Sequence, residues 1–204
     1  MQLDRPLRVV APTLDAEVLG VLARADNEFT VERLASLIGG RSPEGIRRCL
    51  LRLVEQGIVR HHRTGRSHAF SLNRDHLAAP AIAALASLKE ELLDRVRQAL
   101  RDWPEPPIFA ALFGSAARGH MRVDSDIDLF LVRPDDASGR WAEQVDRLLE
   151  DVSNWTGNDA RALELSASEA RNRLVHEPVL ADILRDGIPV HGRPSSFRQL
   201  VTQA

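Results

Sequence analysis

Gly114-Ser115 closes the apolar run Ile108–Phe113, and ten residues further on Asp126 and Asp128 stand two apart at the head of the run Ile127–Val132. A buried strand that turns at Gly-Ser into a helix presents unpaired backbone N–H groups and the positive end of the helix dipole, which suits phosphate. Gly114 lets the backbone approach such a group closely, and the Ser115 hydroxyl can add a bond. Strand alternation puts Asp126 and Asp128 on one face while Ile127, Leu129 and Leu131 pack on the other. Paired hard oxygen ligands beside a phosphate cradle suit Mg²⁺, which takes one or two carboxylates plus substrate phosphates. The chemistry expected is metal-assisted handling of a polyphosphate.

A Gly-Ser turn and an Asp-x-Asp are each common, and neither is specific alone. Joined at this spacing, FGSAARG…DSDIDLFLV resembles the DNA polymerase β-like nucleotidyltransferases, and most closely the small bacterial minimal type. The resemblance covers residues 108–190. It implies two Mg²⁺ held by Asp126 and Asp128, and a nucleoside triphosphate bound by Gly114, Ser115 and Arg118. It also implies transfer of a nucleoside monophosphate to an acceptor hydroxyl of a protein, a tRNA or a small molecule. Family members use a third carboxylate on a later strand, as base or metal ligand. After a helix expected over Trp141–Trp155, that strand is Ala160–Leu165; Glu164 is its best-placed acid and Asp159 the second, with Glu standing where relatives carry Asp.

The elements that position these groups divide between two domains, which suits a chain of 204 residues with 44% hydrophobic content. Net charge is −2, but residues 1–75 carry 12 Arg against 9 acids and the remainder is net acidic. Residues 41–74 hold eight Arg against Glu44 and Glu55, which points to a polyanion partner for one domain only. Helical spacing is read over residues 14–25, from Val31 to Ile38 with Thr30 as cap, and from a third start at Ser42-Pro43. Two short runs, Ile58–His62 and His68–Leu72, flank Arg63-Thr64-Gly65-Arg66 as a hairpin.

Three helices and a basic hairpin, with the pattern Gly-Ile-Val after the third helix, resemble the winged helix-turn-helix of ArsR- and MarR-type regulators. That resemblance implies double-stranded DNA as a partner, with the third helix in the major groove. The contacts implied are Arg41, Ser42, Arg47, Arg48 and Arg52 on and before the helix, with Arg63 and Arg66 on the wing. A winged domain used only for protein contact is the alternative. His61, His62 and His68 read as surface wing residues rather than a zinc site, since no Cys or close acid accompanies them.

Ile82, Leu85, Leu88, Leu92, Leu93, Val96 and Leu100 form an apolar stripe on one long helix expected after Pro80, which would pack on its own domain or pair with a second copy as a homodimer. The fold class expected is α+β. A winged helix-turn-helix domain would span 1–75, a linker helix and Pro-rich joint 76–107, and a nucleotidyltransferase domain with a small mixed sheet flanked by helices 108–204. The single Cys49 leaves no internal disulfide, and no apolar run reads as a signal peptide or membrane span, so a cytoplasmic location is expected. Three functions fit. One is an Mg²⁺-dependent transferase coupled to DNA binding, such as a toxin-modifying, self-regulating antitoxin. Another is a transcriptional regulator whose transferase domain senses nucleotide. In the third, the winged helix binds an acceptor RNA rather than an operator.

Overall fold

The computed structural model describes residues 1–64, 67–173 and 178–202. The chain divides into two compact units, one of Arg5–Lys89 and one that joins Met1–Asp4 to Glu90–Ala204. In the first, a 3-10 turn (Pro6–Val9) precedes α1 (Leu14–Arg24), α2 (Val31–Ile38), α3 (Pro43–Glu55), β1 (Val59–Thr64), β2 (Ser67–Leu72) and α4 (Ala79–Ala86). Side-chain caps set the helix starts: Thr30 Oγ1 accepts the Arg33 N–H at 3.3 Å and Ser42 Oγ accepts that of Gly45 at 3.1 Å. Gly39, at φ +68°, ends α2 in the left-handed half of backbone space. The helices and hairpin close over Val18, Leu22, Leu34, Ile46, Leu50 and Phe70. Phe29 bridges to Phe70 by a reciprocal pair of 2.8 Å bonds, a short third strand position that no sequence pattern announced.

The single helix expected after Pro80 is two, α4 and α5 (Leu88–Arg101). At the break, the Ser87 N–H and hydroxyl both turn back to the Ala83 carbonyl, at 3.1 and 3.0 Å, a local bond that competes with continuing the ladder. The apolar stripe is shared out accordingly. Ile82 and Leu85 pack in the first unit's core, and Leu92, Leu93, Val96 and Leu100 are buried in the second's. The four α5 residues are thus covered within the chain, while Ile82, Leu85 and Leu88 are half-buried. The segment 76–107, expected as a separate joint, is likewise parted between the two units. Met1–Asp4 belong with the C-terminal unit because Leu3 is fully buried in its core, while Gln2 Nε2 donates to the Met121 carbonyl at 2.8 Å.

From α5 the second unit continues through β3 (Phe109–Phe113), α6 (Gly114–Arg118), β4 (Ile127–Arg133), α7 (Arg140–Thr156) and β5 (Ala160–Ser166). It ends with α8 (Ala167–Arg173), α9 (Pro178–Asp186), β6 (Ile188–His191) and α10 (Pro194–Thr202). The sheet order is β5-β4-β3-β6, with β4 and β5 parallel and β3 antiparallel to both its neighbours. Parallel strands need a crossover, and α7 supplies it. One sheet face (Ala110, Leu112, Ile127, Leu129, Leu131) is buried against α5 and α7 through Leu93, Val96, Val145 and Leu148. The other (Phe109, Ala111, Phe130, Val132, Leu165) packs against Ala170, Leu180, Ile183 and Phe197 of the last helices. With apolar cover on both faces, β4 reads as a near-continuous hydrophobic run interrupted only at Asp128. Among the described residues, no helix is long and apolar enough to cross a membrane.

Candidate active site

Phe113 ends β3 opposite Asp128 of β4, and the chain turns at once into α6. Gly114 takes φ +69°, and a Cβ placed on it would overlap Oδ2 of Asp128 and lie 3.1 Å from its Cγ. Glycine is needed twice over, for the left-handed backbone and for the space that the carboxylate fills. Asp126 and Asp128 alternate with buried Ile127, so both carboxylates leave the sheet on the same side. The Asp128 carboxyl is held above the usual carboxylate range, first by burial and then by the charge of Asp126, while Arg161 and Arg118 pull it back. Asp126 Oδ2 is ion-paired with Arg161 Nη1 at 3.0 Å.

Two carboxylates forced together, one resisting ionisation, form a donor set that a small divalent cation relieves. Among the described residues, no group of three or more His, Cys, Asp or Glu side chains could hold a metal. Mg²⁺ does not require one, since it is held by one or two carboxylates with substrate phosphates and water completing the shell. The pair fits that ion.

Strand register decides the remaining site residues. In the parallel β4–β5 pair, Asp128 lies beside Arg161 and Leu131 beside Glu164. Side chains of such partners point the same way, so Glu164 emerges on the face of Leu129 and Leu131. There its Oε2 accepts the indole N–H of Trp141 from α7. The register thus sets Glu164, expected as the third catalytic carboxylate and metal ligand, on the opposite sheet face from Asp126 and Asp128. Asp159 precedes β5, and its backbone carbonyl accepts the Ile127 N–H at 2.8 Å. The strand position beside Asp128 belongs to Arg161, a site residue that the sequence reading missed. Its only signal was parity with a pairing register that the sequence does not state.

Residues 93–177 match the family model described as "Nucleotidyltransferase domain". The match takes in Gly114, Ser115, Asp126, Asp128 and Arg161. These residues form a nucleotidyltransferase domain. No curated protein is significantly similar to the chain. Solved structures resemble it distantly. A crystal structure of a toxin-antitoxin with AMP-PNP shares 18% identity at TM-score 0.38, covering 54% of this chain and 82% of its own. Two mutants of the toxin-antitoxin MntA-HpeT share 15% and 17% identity, each at TM-score 0.38 and 54% of this chain, covering 81% and 80% of theirs.

In the nucleotidyltransferase domain, the loop that delivers Asp126 is tied from below. Buried Asn158 donates its amide to the carbonyls of Val123 and Ser125, at 3.2 and 2.8 Å. Ser125 Oγ accepts the Arg122 N–H at 2.8 Å, so Ser125 shapes the loop. Asn158 was not singled out from sequence. Ser115 lies inside the single turn of α6. Arg118 is exposed at the end of that turn, and its charge reaches both Asp128 and Asp186.

The arginines of the N-terminal unit fall into two sets. Arg41, expected at DNA, is bound through Nε and Nη2 to both oxygens of Glu17, at 2.9 and 2.8 Å. The Glu17 side chain is 3% exposed, with Arg5 and Arg8 also within 3.7 and 3.6 Å. Chiefly the Arg41 hydrogen bond, with the surrounding charge, holds its carboxyl below the usual range. Arg41 is thus committed to neutralising a buried acid, and the Ser42 hydroxyl is committed to capping α3. Arg52 is paired with Asp15 at 2.5 Å, beside Cys49, whose thiol burial pushes up to about 12. Arg47 lines an open groove of about 550 Å³ with Thr30, Glu32, Pro43, His61 and His68. Arg48 is 73% exposed and only loosely paired with Glu44 at 3.9 Å. Arg63 lies on β1, and Arg66 lies outside the described residues. His61 and His68 stack at 5.0 Å on the same hairpin.

Proposed function

We propose that the chain transfers a nucleoside monophosphate from a nucleoside triphosphate to an acceptor hydroxyl, and that its N-terminal unit is a winged helix that binds double-stranded DNA. The observation that carries the first part is the packing of the Asp128 carboxylate over Gly114, which joins the Gly-Ser turn and the paired carboxylates in one site. In this reading Asp126 and Asp128 hold Mg²⁺. Bound there, the ion supplies charge neutralisation for the attacking and leaving oxygens. The turn at Gly114-Ser115 and the charge of Arg118 orient the polyphosphate. The acceptor hydroxyl gives up its proton to solvent, its oxygen bonds to the α-phosphorus, the bond to the bridging oxygen breaks, and pyrophosphate leaves. Acceptors of protein, tRNA and small-molecule class all satisfy this chemistry. A toxin-modifying antitoxin that represses its own operon would combine both proposed roles.

The DNA part is supported by exposed Arg47 and Arg48 on α3, with Arg63 on the hairpin, in the most basic stretch of the chain. A second reading, a DNA-binding regulator that senses nucleotide, is favoured by one observation: β5 offers Arg161 rather than an acid beside the paired carboxylates. Label transfer tests both. Each of four α-³²P nucleoside triphosphates, with Mg²⁺, is incubated with the protein and a lysate of the source cell, beside the Asp126→Ala/Asp128→Ala variant. A labelled product absent with the variant supports transfer, and its size gives the acceptor class. Mg²⁺-dependent nucleotide binding without transfer favours the sensor.

A further inference from the structure

The strand position beside Asp128 is filled by a base, Arg161. We propose that Arg161 is a nucleotide-phosphate ligand held in place by Asp126 until metal and nucleotide arrive, when it exchanges its carboxylate partner for a phosphate oxygen. This rests on the nucleotidyl-transfer reading and deepens it.

Three features support the exchange. First, register puts Arg161 on the strand beside Asp128, on the face from which both carboxylates emerge. Second, its ion pair with Asp126 runs through Nη1, and the side chain is 67% exposed, so much of a five-donor fork opens to solvent. A planar guanidinium matches phosphate oxygens as well as carboxylate oxygens, and the exchange sacrifices no hydrogen-bonding capacity. Third, Asp126 is the outer carboxylate of the pair, its side chain 28% exposed. A divalent cation held by Asp126 and Asp128 would compete with Arg161 for the Asp126 carboxylate, and Arg161 would then be free to take a phosphate oxygen. The charge of exposed Arg118 also reaches Asp128 and would offer the polyphosphate a second cation.

The inference makes opposite predictions for metal and nucleotide, which a merely structural arginine would not. Arg161→Ala removes a competing positive charge and should bind Mn²⁺ alone roughly fivefold more tightly than wild type. The same variant should bind a non-hydrolysable α,β-methylene triphosphate, at saturating Mg²⁺, about tenfold more weakly, the worth of one charge-assisted bond. Arg161→Lys should fall between, because lysine keeps the charge and loses the fork. Calorimetry on the full chain measures Mn²⁺ and nucleotide affinity separately, and Arg161→Gln repeats the test should the alanine variant not fold. Affinities that move in the same direction, or either one within twofold of wild type, overturn the role of Arg161. Wild-type protein that binds neither Mn²⁺ nor nucleotide overturns the nucleotidyl-transfer reading itself, and a failure confined to the variants leaves that reading intact.

Discussion

Gly114→Ala should disable the site while leaving the fold standing. Two costs can be read from the structure. The backbone at φ +69° is one that a side chain resists, for about 1–2 kcal/mol. The new Cβ also overlaps Oδ2 of Asp128. That atom ends a flexible side chain, so Asp128 can yield by rotating, and the collision does not spread into the core. The melting temperature should fall by roughly 3–8 °C. The displaced carboxylate matters more, because a misplacement of about 1 Å in a catalytic constellation costs around 100-fold in rate. Initial rates of label transfer and thermal melts would be compared for wild type, Gly114→Ala, Asp128→Ala and the double variant. With Asp128 already truncated the overlap is gone, so Gly114→Ala should then cost less by roughly 0.5–1 kcal/mol. Wild-type transfer by Gly114→Ala, or an equal stability cost in both backgrounds, would refute the claim that the glycine exists to make room for the carboxylate.

Glu164→Gln keeps an acceptor for the Trp141 indole and should transfer label within about threefold of wild type, while Glu164→Ala, which strands that N–H, should lose about 1–2 kcal/mol in urea denaturation; a Glu164→Gln protein as inactive as Asp126→Ala would restore the third-carboxylate role. Arg41→Ala leaves buried Glu17 with only the more distant Arg5 and Arg8, and should destabilise the N-terminal unit by about 1–3 kcal/mol in urea unfolding. Arg47→Ala/Arg48→Ala, by contrast, should weaken duplex DNA binding and flatten its salt dependence without moving the unfolding midpoint, as read by titration at several salt concentrations. The carboxyl of Glu17 is depressed in the folded chain. Its contribution is therefore complete above its unfolded value and disappears as pH falls through the depressed one. Melts across that acid range should show a loss that Glu17→Gln removes, and parallel curves for the two proteins would contradict it.

Much of the site was legible from local chemistry. Gly-Ser after an apolar run, and two aspartates in alternation on the next, specify a turn and a shared face through backbone geometry alone. Helix starts at Thr30 and Ser42 were equally plain, because a hydroxyl capping an N–H three residues on is a local interaction. The break at Ser87 was hidden by an apolar stripe that runs through it, since both halves keep helical spacing although they serve different cores. Composition marked residues 41–74 as basic, but only packing could separate Arg41, drawn to buried Glu17, from the exposed Arg47 and Arg48. The sharpest division concerns β5. Its sequence determined that a strand with period-two alternation follows α7, and that it carries both Arg161 and Glu164. Which of them faces Asp126 and Asp128 was decided by the tertiary structure, because a strand's period is two residues and a register shift of one exchanges its faces.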